Sequence, residues 1–148
     1  MNKYLLVILF LSVAISSFAA SKNKKEEQEY GMGKGTVYLF GVSQQLTDSV
    51  VYISSISQID SIDLDKKTKF LPYRSEFSLQ MKQYLEGKLN LKGQTVAVFF
   101  SDNRKKVAKK FYKIKKRFLD NPDTKIVIID DNKFRFKHPL NFVGNTEE

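Results

Sequence analysis

The sequence predicts a single α/β domain: a mixed four- to five-stranded sheet with two helices, in the order β-β-α-β-α-β, with a short carboxy-terminal edge strand as a further candidate. Three observations predict it. Thr95-Val96-Ala97-Val98-Phe99-Phe100 and Lys125-Ile126-Val127-Ile128-Ile129 are nearly unbroken apolar runs, which suit strands covered on both faces. Between them apolar residues recur at the helical period, so the stretch from Gln94 to Asp131 reads as a β-α-β unit with a right-handed crossover. Ahead of it, two β-rich runs flank a turn signal.

The composition narrows the chemistry. The 148 residues include 25 Lys and Arg against 16 Asp and Glu, a formal charge of +9. Such a balance favours polyanionic partners: anionic lipid, acidic polysaccharide, an acidic protein or nucleic acid. The chain has no cysteine, which excludes disulfides, thiolate zinc sites and a cysteine nucleophile. Apolar residues are plentiful enough for a packed core.

Met1-Asn2-Lys3 is a basic start, Tyr4 to Ile15 is an apolar core, and Ser17-Phe18-Ala19 places small residues where a signal peptidase reads. This resembles a bacterial secretory signal peptide ending at Ala19. The apolar stretch falls short of the ~20 residues a membrane span requires. Four segments follow: a leader over residues 1–19, a polar and glycine-rich lead-in over 20–35, the α/β domain over 36–139 and a polar tail over 140–148. The expected location is periplasmic or secreted, with no transmembrane segment in the mature chain.

Gly31, Gly33 and Gly35 alternate, but they precede a strand. A phosphate-binding glycine loop follows a strand and opens a helix. Thr36 to Val42 and Ser49 to Ile56 form an expected antiparallel hairpin with Asp48 as the turn residue. Asp60, Asp63 and Asp65 do not fit a calcium loop, because Asp65 stands where that loop needs glycine and Leu71 where it needs glutamate. Ile59, Ile62 and Leu64 instead set this segment against the core, and Lys66 to Lys69 reads as a turn.

Ser75 is the expected N-cap of the first helix. Its inward face carries Phe77, Met81, Tyr84 and Leu85, and Gly87 or Gly93 ends it. Ser101 or Asp102 is the expected cap of the second. There Val107, Ala108, Phe111, Ile114 and Phe118 share one stripe, flanked by Tyr112 and Lys115. Lys105, Lys106, Lys109, Lys110, Lys113, Lys116 and Arg117 fall on the opposite arc, and Pro122 lies just past its end. That arc reads either as a solvated face or as a docking face for a polyanion. Lipid insertion is disfavoured, because the apolar stripe is committed to the sheet. Nucleic acid is unlikely, since no base-reading or stacking motif accompanies the charge.

Phe134-Arg135-Phe136-Lys137 alternates like an edge strand, with Asp131-Asn132 as a turn before it. If the two apolar strands are neighbours, Asp102 and Asp130 lie together beyond their carboxyl ends, where a carboxylate pair can hold a metal. The competing reading gives Asp102 to a helix cap and Asp131 to a turn. His138, the sole histidine, stands ahead of Pro139 near the tail. No nucleophile elbow, zinc helix or Walker loop occurs, and no cofactor is implied. The expectation is an exported, non-enzymatic binding or accessory protein of the bacterial envelope, meeting an anionic component or acidic protein through the basic helix. The alternatives are a small metal-dependent enzyme using those carboxylates, or a periplasmic inhibitor or immunity protein.

Overall fold

Strand β1 (Thr36–Gln45) is the axis of the sheet. In a computed structural model of the protein, which describes residues 33–142, three strands pair with it. Strand β4 (Gln94–Ser101) runs antiparallel along one side, from Tyr38↔Ser101 to Gln45↔Gln94. Strands β2 (Val50–Ser54) and β3 (Ser57–Asp60) share the other side, also antiparallel. Strand β5 (Lys125–Ile129) pairs in parallel with the far side of β2. Alternation along β1 explains its place. Val37 and Leu39 are buried on one face of the sheet, Phe40 and Val42 on the other.

The predicted α/β class holds, with five strands and two helices. The β-α-β unit is corrected in one respect. β4 and β5 are not neighbours; β1 and β2 lie between them. The expected second strand, Ser49 to Ile56, ends at Ser54, and a further strand that was not expected, β3, follows it. Three steps along β1, from Val42 to Leu39, match four along its partner, from Ile53 to Ser57, so one residue is extra and the strand bulges. The bulge turns Ser55 toward β5, where its N–H and hydroxyl both donate to the Ile129 carbonyl at 3.0 and 3.1 Å.

One helix covers each face, giving three layers. Helix α1 (Arg74–Gln83) buries Phe77 and Met81 on the Val37 face and widens into a π-helix, Tyr84–Lys88, that buries Leu85. The expected cap is corrected: Tyr73 precedes the helix at φ 58°, its carbonyl accepts from Phe77 N–H, and Ser75 lies inside the first turn. Gly87 falls within the π-helix, and Gly93 leads into β4 with φ 71°. Helix α2 (Arg104–Leu119) packs on the Phe40 face. Its cap is Asn103, whose side chain accepts from Lys105 and Lys106 N–H at 2.9 and 3.2 Å. Ser101 is still paired with Tyr38 in the sheet, and the cap falls past both expected residues.

The segment Phe134–Lys137 is not a strand. It lies over the α1 face because a side chain bonds its backbone. The buried Gln80 amide donates to the Lys137 carbonyl, and its oxygen accepts from Lys137 N–H, both at 2.9 Å. Phe136 N–H donates to Ser57 Oγ at 3.2 Å, and the Phe136 ring is fully buried against Phe77. Gly41 makes room for this layer, because a Cβ there would overlap the Met81 sulfur and approach Phe136 Cζ to 3.1 Å.

The hairpin turn matches expectation: Asp48 Oδ1 accepts from Val50 N–H at 3.1 Å. At the other end, Gly33 N–H donates to Ser61 O and Gly35 O accepts from Ile62 N–H, which carries the β1–β3 pairing back into the glycine segment. The leader lies outside the described residues, as does most of the tail.

Candidate functional site

Helix α2 forms for reasons visible in its residues. Lys, Arg, Ala and Leu have strong helix propensity. Its apolar stripe gives it a surface to bury: Val107 is fully buried, while Phe111, Ile114 and Phe118 are half-buried over Phe40, Val51 and Ile53. The Phe111 ring meets Phe40 edge-on at 5.2 Å between centroids. Fixing this stripe sets the direction of everything on the other side.

There Lys105, Lys106, Lys109, Lys110, Lys113, Lys116 and Arg117 are all exposed. Among the described residues the ion pairs are Lys82–Glu86 and Arg135–Asp131, neither of them on α2. The cations stand at i, i+3 and i, i+4 spacings, where like charges oppose the helix by ~0.2–0.5 kcal/mol per pair. Lys105 and Lys106 also sit in the first turn, which holds no acid and whose dipole disfavours cations. A solvated face needs polarity, not one sign of charge. An anion laid on this arc relieves both penalties.

The arc has an apolar border beside β4. Lys110 Nζ lies 5.0 Å from the Phe99 ring centroid. Phe99, Ile114, Lys110, Lys113, Lys116 and Arg117 line a shallow groove there, with Asp120 as its one acid. On the opposite face of the sheet, Arg74 at the start of α1 stands 5.9 Å from the Phe100 ring centroid. Cations therefore flank β4 on both faces.

Asp102 and Asp130 are not brought together. They follow strands at opposite edges of the sheet, about 14 Å apart at the usual strand spacing. Both are exposed, and Asp102 accepts from the Ser101 hydroxyl at 3.1 Å. Among the described residues no three His, Cys, Asp or Glu are placed to hold a metal ion. Asp131 is bound by Arg135 through two hydrogen bonds, which holds its carboxyl below the usual range and raises the guanidinium. Asp65 closes a tight loop: Thr68 N–H, the Thr68 hydroxyl and Lys67 N–H all donate to Oδ1. Thr68 N–H is the largest cause of its lowered pKa.

His138 is buried rather than loose. Its Nδ1 accepts from Leu140 N–H at 3.2 Å at the start of the short helix Pro139–Asn141, and its buried Nε2 has no hydrogen-bond partner among the described residues. Two features were missed from sequence. One is the Gln80 clamp, signalled only by an amide next to the apolar stripe of α1. The other is a second groove between the π-helix and the carboxy-terminal segment, bordered by Tyr84, Lys88, Phe134 and Lys137.

Comparison with protein-family models, with curated proteins and with solved structures finds no match. Among the described residues no helix is long and apolar enough to cross a membrane.

Proposed function

We propose that this is an exported, non-enzymatic binding or accessory protein that contacts an anionic envelope component or an acidic protein through α2. One observation carries the reading. An exposed cationic arc without ion pairs among the described residues stands on a helix whose apolar side is committed to the sheet. The export half rests on the leader at residues 1–19.

The test uses heparin and polyglutamate as probes, measured at about 0.05 M and about 0.5 M salt. The wild-type chain binds at low salt and releases steeply as salt rises. The variant Lys109→Glu/Lys113→Glu/Lys116→Glu keeps its circular dichroism spectrum and loses binding. Equal binding by the two proteins overturns the reading. Intact-mass spectrometry of the native protein checks export, and a chain still starting at Met1 removes that half of the proposal.

A further inference from the structure

Beyond Gln94, the outer edge of β4 has no strand partner among the described residues. Gln94 N–H turns away from β1 and donates to Glu86 Oε1 at 3.1 Å. Antiparallel alternation then places the N–H and C=O groups of Val96, Val98 and Phe100 along the same outer side. No hydrogen bond from these groups to a partner on that side occurs among the described residues. Natural edges are blunted by shortness, charge, proline or a bulge. β3 is short, β5 is short and begins with Lys125, and β2–β3 carries a bulge. β4 has none of these devices. It is the uncharged run Gln-Thr-Val-Ala-Val-Phe-Phe-Ser, in unbroken register with β1.

Charge identifies what fits. On the α2 side the groove beside Phe99 is lined by Lys110, Lys113, Lys116 and Arg117 against one acid, Asp120, and on the α1 side Arg74 stands over the Phe100 ring. A second copy is a poor occupant. Pairing β4 with β4 about a two-fold axis continues the sheet and sets two cationic helices on the same face. We infer that β4 takes up an extended acidic segment of a partner protein as an added strand. Main-chain bonds to Val96, Val98 and Phe100 hold the added strand. Its carboxylates on one side meet Lys110, Lys113 and Arg117, and its apolar residues alternate with them. The inference rests on the α2 reading for the sign of the partner's charge, and adds the chemical class and the mode of docking.

The experiment uses a capped, dye-labelled peptide of alternating Glu and Val, matched in length to β4. A second peptide has the same sequence with every other amide N-methylated, which keeps the charge and removes one ladder of donors. The expected result is saturable binding of the first peptide and at least about tenfold weaker binding of the second. The amides of Val96, Val98 and Phe100 exchange quickly in the free protein and become protected in the complex. Val96→Pro, which removes an outward N–H at an edge position that tolerates proline, weakens the first peptide. Lys110→Glu/Arg117→Glu does the same without touching the strand. If both peptides bind equally, strand addition is overturned while the cationic face stands. If neither binds, strand addition is overturned and the face is judged by heparin alone. Protection of the three amides in the free protein also overturns it. Protection that grows with protein concentration then assigns the edge to a second copy, and concentration-independent protection assigns it to the chain itself.

Discussion

Gly41→Ala tests the packing of the central layer. The new Cβ overlaps the Met81 sulfur, and Phe136 Cζ at 3.1 Å blocks the way aside. Met81, Phe77 and Phe136 are all fully buried, so the thioether has no empty space to enter. Overpacking of this kind costs about 1–3 kcal/mol. The loss of glycine's freedom in the unfolded chain offsets about 0.5–1 kcal/mol of that. The expected net destabilisation is about 1–2 kcal/mol, a fall of about 1 M in urea midpoint at a slope of about 1.5 kcal/mol/M. Met81→Ala alone is expected to cost about 2–5 kcal/mol. In the double variant the new methyl sits in the vacated space, so the two costs fall short of adding by about 1 kcal/mol or more. The assay is urea unfolding followed by circular dichroism, with coincident fluorescence to check two-state behaviour. Additivity within about 0.5 kcal/mol would show that Gly41 and Met81 do not share this space, and the packing argument would fail.

Three further outcomes are expected. Asn103→Ala removes the α2 cap and costs about 1 kcal/mol, whereas Asp102→Ala costs much less; urea midpoints for both variants decide between the cap observed and the cap read from sequence. Gln80→Leu leaves Lys137 N–H and C=O without their clamp, so amide exchange accelerates from Phe134 to His138 and stability falls by about 1–3 kcal/mol; unchanged exchange in that segment contradicts the clamp. Asp65 and Asp60 have pKa values lowered from 3.8, by Thr68 N–H and by the Thr36 hydroxyl respectively. Lowered folded-state values add stability above 3.8 that is lost as pH falls through them, so the unfolding midpoint is expected to stay level near neutrality and drop below pH 3.8. Asp65→Asn flattens that acid limb, and an unaltered limb rejects the assignment.

What could be read in the sequence was local. The α2 stripe and its cationic arc follow from spacing alone, and the structure places Phe111 and Phe118 inward and the lysines outward. The Asp48 turn and the turn at Lys66 to Lys69 were equally legible. Pairing was not. Val96 to Phe100 and Ile126 to Ile129 are apolar on both faces because a helix covers each side of the sheet, and that pattern is the same for edge and interior strands. The centrality of β1 depends on which strands join it, and no feature of Thr36 to Gln45 states that. Ser101, Asp102 and Asn103 are all good cap formers, and only Ser101 is ruled out by its partner, Tyr38, which holds it in the ladder. The alternation at Phe134 and Phe136 does mark one face as inward. Its partner turned out to be a glutamine side chain on α1 rather than a strand. The open β4 edge could not be seen before the pairing was known.

The position of β1 also bears on how the molecule assembles. A chain delivered amino end first presents its axial strand early, and β2 and β3 meet it as a local hairpin. β4 must then close a long loop to reach the same strand. The lysine-bearing rod and β5 follow later in the chain, and the Gln80 latch holds the first layer from the carboxyl end. In chain order the contacts of the sheet run outward from β1, and α2, β5 and the Gln80-bound segment come last.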